Sequence, residues 1–164
     1  MPKHAELDEF DRRIISELQR DGRISNVELA EKVGLSPSPC LRRVKLLEEA
    51  GVIRGYRPLL DRAAVGLGMT VFVEITIARH STAAAEVLQH RLEALPGCVS
   101  CHLVSGASDF LVEMVVRDME AYERTITTHL LVGKEIAAIR SNFSMRQVRV
   151  DGPLLLPDQV GQQA

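Results

Sequence analysis

Residues Ser25–Ala50 read S-N-V-E-L-A-E-K-V-G-L-S-P-S-P-C-L-R-R-V-K-L-L-E-E-A. The stretch carries start and stop signals for two helices with almost nothing between them. Ser25 sits three residues before Glu28, the spacing of a capping box. Leu29, Ala30 and Val33 give the first helix an apolar side, and Gly34 supplies the left-handed residue that ends it. Ser36 is placed to cap a second helix, with Pro37 at its first position, where a missing N–H costs nothing. A turn of Gly34–Leu35 makes the two axes cross steeply. This is the pattern of a helix-turn-helix, spanning about residues 26–45.

The faces of the second helix differ. At about 100° per residue, Cys40, Leu41, Val44, Leu47 and Glu48 gather on one side. Ser38, Arg42, Lys45, Leu46 and Glu49 gather on the other, with Arg43 on the flank. An apolar stripe with hydroxyls and guanidinium groups opposite suits the major groove of duplex DNA, where Arg reads guanine edges. A solvated surface helix would carry the same charges.

Working outward, Leu7, Phe10, Ile14, Ile15 and Leu18 recur at helical spacing before Asp21-Gly22, which predicts a first helix packed on the other two. Residues 1–6 are expected to be disordered. After Gly51, the segment Val52–Arg57 reads as a short strand or wing, with Arg54 and Arg57 as candidate phosphate contacts. Pro58–Gly68 carries turn signals and reads as a hinge. From Met69 the period changes to two, with Val71, Val73, Ile75 and Ile77 on one face and Phe72, Glu74 and Thr76 on the other. Ala84, Val87, Leu88, Leu92 and Leu95 then follow helical spacing, and Pro96-Gly97 stops them. Val99, Cys101 and Leu103 alternate, the turn Ser105–Asp109 leads into Phe110–Val116, and Met119, Tyr122, Ile126 and Leu130 mark a second helix. A last strand runs from about Ile139 to Val150.

The order strand-helix-strand-strand-helix-strand is that of a ferredoxin-like β-α-β-β-α-β domain. Both helices should cover one side of an antiparallel sheet. The other side, with Phe72, has no third layer to hide it, and such a face usually finds a partner. A two-fold dimer built through these domains is expected, setting the spacing of two helix-turn-helix heads. The predicted fold class is therefore α+β. It has a helix-turn-helix domain (1–57), a linker (58–68), a ferredoxin-like domain (69–150) and a C-terminal tail (151–164).

The run from Asp21 to Tyr56, D-G-R-I-S-N-V-E-L-A-E-K-V-G-L-S-P-S-P-C-L-R-R-V-K-L-L-E-E-A-G-V-I-R-G-Y, resembles the signature of the Lrp/AsnC family of transcription regulators. Similar segments follow in order: V-F-V-E-I-T-I, C-H-L-V-S-G-A-S-D-F and D-M-E-A-Y. The resemblance covers about Leu7 to Val150. It implies a winged helix-turn-helix joined to an ACT-like effector and oligomerisation domain. It also implies dimers that assemble further into tetramers, octamers or larger rings. On this reading the residues facing DNA are Ser25, Asn26, Ser36, Pro37, Ser38, Pro39, Arg42, Arg43, Lys45, Arg54 and Arg57.

The turn S-G-A-S-D (Ser105, Gly106, Ala107, Ser108, Asp109) admits two readings. Free backbone N–H groups could hold a carboxylate while Asp109 takes an ammonium group. Equally, Gly could supply a positive φ while Asp caps its own backbone in a plain hairpin. The turn resembles the family's G-x-x-D element at an amino-acid pocket between neighbouring dimers, which implies the first.

Charge is distributed unevenly. The chain has a formal net charge of −2, which argues against indiscriminate nucleic-acid binding. Residues 1–57 hold 11 Lys/Arg against 10 Asp/Glu, whereas 58–164 hold 9 against 12. Within the first part, Ser36–Arg57 carries five basic and two acidic residues. So local a positive field gives few phosphate contacts per copy, which argues for several copies acting together. Three cysteines give no disulfide framework, no apolar run spans a bilayer, and the first ten residues lack a signal-peptide core. A cytoplasmic protein is expected.

Cys98-Val-Ser-Cys101 lacks the second ligand pair of a zinc site, and residues three apart in a regular strand point to opposite faces. The histidines (His4, His80, His90, His102, His129) are scattered, and no nucleophile–base or phosphate-loop pattern stands out. The expectation is a non-enzyme without metal or cofactor: a DNA-binding regulator whose assembly and affinity respond to an amino-acid effector. The alternative is an ACT-like regulatory module whose N-terminal helices bind a protein partner.

Overall fold

The computed structural model describes residues 6–78, 82–132, 134–150 and 152–156, with side chains throughout except at 82–84. His4, His80, most of the segment 1–6 and most of the tail beyond 151 lie outside the described residues, as does the Ala84 side chain. The chain forms two compact units, one of residues up to Leu59 together with those from Arg149 onward, the other Leu60–Val148.

The first unit holds α1 (Glu9–Arg20), α2 (Asn26–Val33) and α3 (Pro37–Glu49). Asp8 caps α1 in a reciprocal box with Asp11. Ser25 and Glu28 form the same box on α2, and Gly34 ends that helix at φ 77°. Ile14, Leu29, Ala30, Val33, Cys40 and Leu47 make the buried core, flanked by Leu7, Ile15, Leu18, Ile24, Val44 and Val52. Leu41 and Glu48 depart from their expected inward face. Leu41 is 45% exposed and Glu48 lies in solvent, because the core accepts only the narrow stripe of Cys40, Val44 and Leu47. Residues 54–60 form no strand, so the anticipated wing is an extended segment without a ladder of its own.

The second unit is a four-stranded antiparallel sheet of β1 (Met69–Ile77), β2 (Cys98–Leu103), β3 (Phe110–Val116) and β4 (Ile136–Phe143), ordered β2-β3-β1-β4. α4 (Thr82–Glu93) and α5 (Met119–Thr125) complete the βαββαβ order. Val71, Val73, Ile75, Val112 and Met114 face Leu88, Leu92, Tyr122, Ile126 and Leu130 in one core. Each such aliphatic side chain contributes about 1.5–3 kcal/mol on burial. Val87 lies half exposed, outside that core.

Three details differ from the sequence pattern. α5 passes into a π-helical turn over Ile126–Leu130. Its buried residues Tyr122, Ile126 and Leu130 all pack on the sheet core. β4 ends at Phe143, so Ser144–Val150 lie beyond the strand expected there. β2 carries a bulge between Cys98 and Ser100 that turns Val99 outward.

The uncovered sheet face presents Phe72, Glu74 and Thr76 from β1 beside Leu111, Glu113, Arg140 and Asn142. Glu74 accepts a hydrogen bond from Asn142 Nδ2 at 2.9 Å and faces Arg140 at 3.5 Å. Arg62 reaches Glu113 at 2.9 Å and Thr70 Oγ1 at 3.1 Å. Phe72 is 39% exposed on this face, where Leu111 is its apolar companion among mostly polar neighbours.

Candidate nucleic-acid interface and effector turn

The start of α3 is set by its two prolines. Ser36 stands at the N-cap, but its hydroxyl makes no capping hydrogen bond. A capping oxygen accepts a hydrogen bond from the second or third helical N–H; the third residue here is Pro39, which has none, and the Ser38 N–H at the second is not used. The Ser36 and Ser38 hydroxyls therefore stay exposed at the positive end of the helix dipole. Farther along, Arg42 and Lys45 point to solvent and form no hydrogen bond or ion pair among the described residues.

Arg43 is held differently from its grouping with the DNA-facing residues. Its Nη1 lies 2.7 Å from Asp8 Oδ2 and 2.8 Å from Asp11 Oδ1, and the guanidinium stands 5.4 Å from the Phe10 ring centroid. The α1 capping box thus doubles as a carboxylate clamp on α3. The hydrogen bond from the Asp11 backbone N–H, with lesser help from Arg43, holds Asp8 below the usual carboxylate range and outweighs burial, which pushes the other way. Asp11 and Asp8 together raise Arg43 further. Ser25 is likewise occupied: its Oγ accepts from Glu28 N at 3.2 Å and donates to Glu28 Oε2 at 2.7 Å. Asn26 Nδ2 donates to the Pro37 carbonyl at 2.8 Å, tying α2 to the first turn of α3. These three residues fix the geometry of the motif. Arg54 is exposed, and Tyr56 donates to Glu48 Oε1 at 3.0 Å, pinning the segment that also carries Arg57 to α3.

The turn after β2 closes through Val104 N to the Asp109 carbonyl at 2.9 Å. Gly106 takes φ 144°, and Ser105, Gly106 and Ala107 are exposed. Asp109 does not cap its own turn. Its Oδ2 accepts from Ile77 N at 2.8 Å, across the sheet, where β1 slips register against β4 between Thr76 and Ile77. The carboxylate thereby satisfies an N–H that the bulge would leave idle. The N–H groups of Ser105–Ser108 have no acceptor among the described residues.

Cys98 and Cys101 do not point apart as the spacing suggested. The bulge sets Cys98 opposite Met114 and Cys101 opposite Val112, both on the helix-covered side. Among the described residues no three metal-ligating side chains gather, and no helix is long and apolar enough to cross a membrane.

A basic, exposed helix held on a three-helix core, joined to a sheet domain with an open turn, defines a DNA-binding regulator with a separate ligand domain. Comparison with known proteins agrees. Residues 7–54 match the winged helix-turn-helix DNA-binding family, and residues 70–154 match the Lrp/AsnC ligand binding domain. The chain is 42% identical over 151 residues to the leucine-responsive regulatory protein of Escherichia coli, covering 92% of each. A transcriptional regulator from Neisseria meningitidis, solved with L-Met, superposes with a TM-score of 0.87 at 36% identity, over 93% of this chain and 98% of that one. An AsnC family regulator from Agrobacterium tumefaciens gives 0.84 at 36% identity, over 92% and 97%. The chain belongs to the Lrp/AsnC family of transcription regulators. None of these matches favours a module that binds a protein partner in place of DNA.

Proposed function

We propose that α3 enters the major groove with Arg42 and Lys45, that Ser36, Ser38 and Arg54 hold the flanking phosphates, and that an amino acid sits at Ser105–Asp109. Arg42 reads base edges. Lys45 acts as a point charge, since an ammonium lacks the planar fork that reads guanine from two atoms. The observation that carries this reading is the contrast along one helix: Arg43 is clamped by two carboxylates, whereas Arg42 and Lys45, on the face away from the buried stripe of Cys40, Val44 and Leu47, have no partner among the described residues.

The uncovered sheet face supports pairing of two chains, with Phe72 as its apolar centre. Pairing supplies through avidity what one weakly basic head lacks. The ammonium of an amino acid would approach Asp109, and its carboxylate the unpartnered N–H groups of the turn. L-Met in the Neisseria relative makes an α-amino acid the ligand class. An effector that prefers one arrangement of dimers shifts the assembly toward it and so changes operator affinity. Assembly into tetramers or octamers, and action in the cytoplasm without catalysis, belong to the same proposal.

The test is a fluorescence-anisotropy titration of DNA from upstream of the protein's own gene, with and without each common amino acid. Saturable, salt-sensitive binding that one or a few amino acids shift is expected. Salt-insensitive or absent binding sinks the DNA assignment; binding that no amino acid alters sinks the effector assignment.

A further inference from the structure

The Cys98-Val-Ser-Cys101 motif is not used by either site above. β2 is the edge strand of the sheet, so the side away from β3 is open among the described residues. In a regular strand the two thiols would lie on opposite faces. Here the bulge changes the count: Cys98 pairs with Met114, Ser100 with Glu113 and Cys101 with Val112. Met114 and Val112 are both fully buried beneath the helices, so Cys98 and Cys101 stand as same-face neighbours packed on that core. Both are half-buried, both are free thiols, and neither has the full enclosure of Cys40.

The separation selects the chemistry. Their strand partners are two residues apart, which places the two Cα atoms about 6.4–6.8 Å apart. That is at the outer limit for a disulfide, whose Cα atoms usually lie within about 6.8 Å. It leaves room for one ion between two sulfurs. With no third His, Cys, Asp or Glu ligand assembled among the described residues, zinc in its usual four-ligand shell is not served. Soft cations that accept thiolates alone are.

We propose that Cys98 and Cys101 form a two-sulfur site for a soft, two-coordinate metal cation such as Cu(I) at the edge of the ligand domain. Binding breaks two S–H bonds and forms two S–metal bonds. Two protons go to solvent and no electron moves. Burial raises both thiols above their ordinary range, and the ion's own charge must overcome this, so proton release is the signature of occupancy.

The experiment is an anaerobic Cu(I) titration of the reduced full-length protein against a coloured Cu(I) chelator, with proton release followed in weak buffer. One Cu(I) per chain leaving the chelator with two protons released is expected. The site is lost in Cys98→Ser and in Cys101→Ser, and kept in Cys40→Ser. Circular dichroism checks that each variant is folded. In the unmodified protein, one equivalent of Cu(I) should shield Cys98 and Cys101 together from iodoacetamide, read by peptide mass. No withdrawal of Cu(I), withdrawal unchanged in either single variant, shielding of one cysteine alone, or ready formation of a Cys98–Cys101 disulfide by mild oxidation would each overturn the proposal.

Discussion

Replacing Arg43 by Ala separates a residue that positions the recognition helix from one that touches DNA. The side chain is 26% exposed and bonds Asp11, at 16%, and Asp8, at 50%. The better-shielded bond to Asp11 is worth about 1.5 kcal/mol as a charge-assisted pair. The Asp8 bond, screened by solvent, adds about 0.5, and the Phe10 contact about 0.5. A loss of about 2.5 kcal/mol should therefore fall on the α1–α3 pairing, which speeds amide exchange in both helices about 70-fold where opening is local. The assay pairs hydrogen exchange with operator affinity across a salt series. A lost phosphate contact would lower the salt slope by about 0.9 per subunit. Arg43→Ala should weaken binding yet leave that slope unchanged. Unchanged exchange together with a slope lowered by that amount would refute the clamp and return Arg43 to the DNA.

Acid tests the same clamp: the folded state lowers the Asp8 pKa, so its contribution is complete above the ordinary aspartate range near pH 4 and is lost as pH falls through the folded value. The stability gap between wild type and Arg43→Ala should narrow by the Asp8 share, about 0.5 kcal/mol, over that interval in acid denaturation curves. Asp109→Ala strips Ile77 N–H of its acceptor and should destabilise the sheet domain by about 1–2 kcal/mol. Asp109→Asn, which keeps an acceptor, should melt near wild type and still lose the thermal shift given by amino acids. Gly97→Ala, at φ 78° with a new Cβ 2.9 Å from the Val115 carbonyl, should cost more than Gly34→Ala, at φ 77° with nothing within 4 Å. The second should show only the backbone penalty of about 1–2 kcal/mol, and equal melting curves for the pair would contradict the close approach. Gln19 exchanges two hydrogen bonds with the Leu154 backbone, at 2.6 and 3.1 Å. Gln19→Ala should speed exchange of the Leu154 amide and leave that of α5 unchanged.

What could be read from sequence was local. Ser25 and Glu28 are three residues apart and Gly34 ends its own helix, so the boundaries of α2 follow from near neighbours. The period of two in Met69–Ile77 likewise states which face is buried. What could not be read depends on distant partners. Arg43 looks like a groove-facing cation until α1 brings Asp8 and Asp11 to it from more than 30 residues away. Asp109 reads as a turn residue because its acceptor role is set by a register slip in another strand. Pro39 at the third helical position visibly removes one of the two N–H groups that could cap onto Ser36. The π-helical turn at Ile126–Leu130 has no such mark, since Phe10, Ile14 and Leu18 keep the same four-residue spacing on a regular α-helix. The bulge in β2 has no glycine to mark it, so the common face of Cys98 and Cys101 emerges only from the register.

The most direct measurement is operator affinity from low to high salt for wild type, Arg42→Ala and Lys45→Ala. If α3 reads the groove, Arg42→Ala loses about 1–3 kcal/mol at the operator and much less on unrelated duplex, while Lys45→Ala weakens both and flattens the salt slope by about 0.9 per subunit. Both variants binding operator as wild type at every salt concentration would contradict the account.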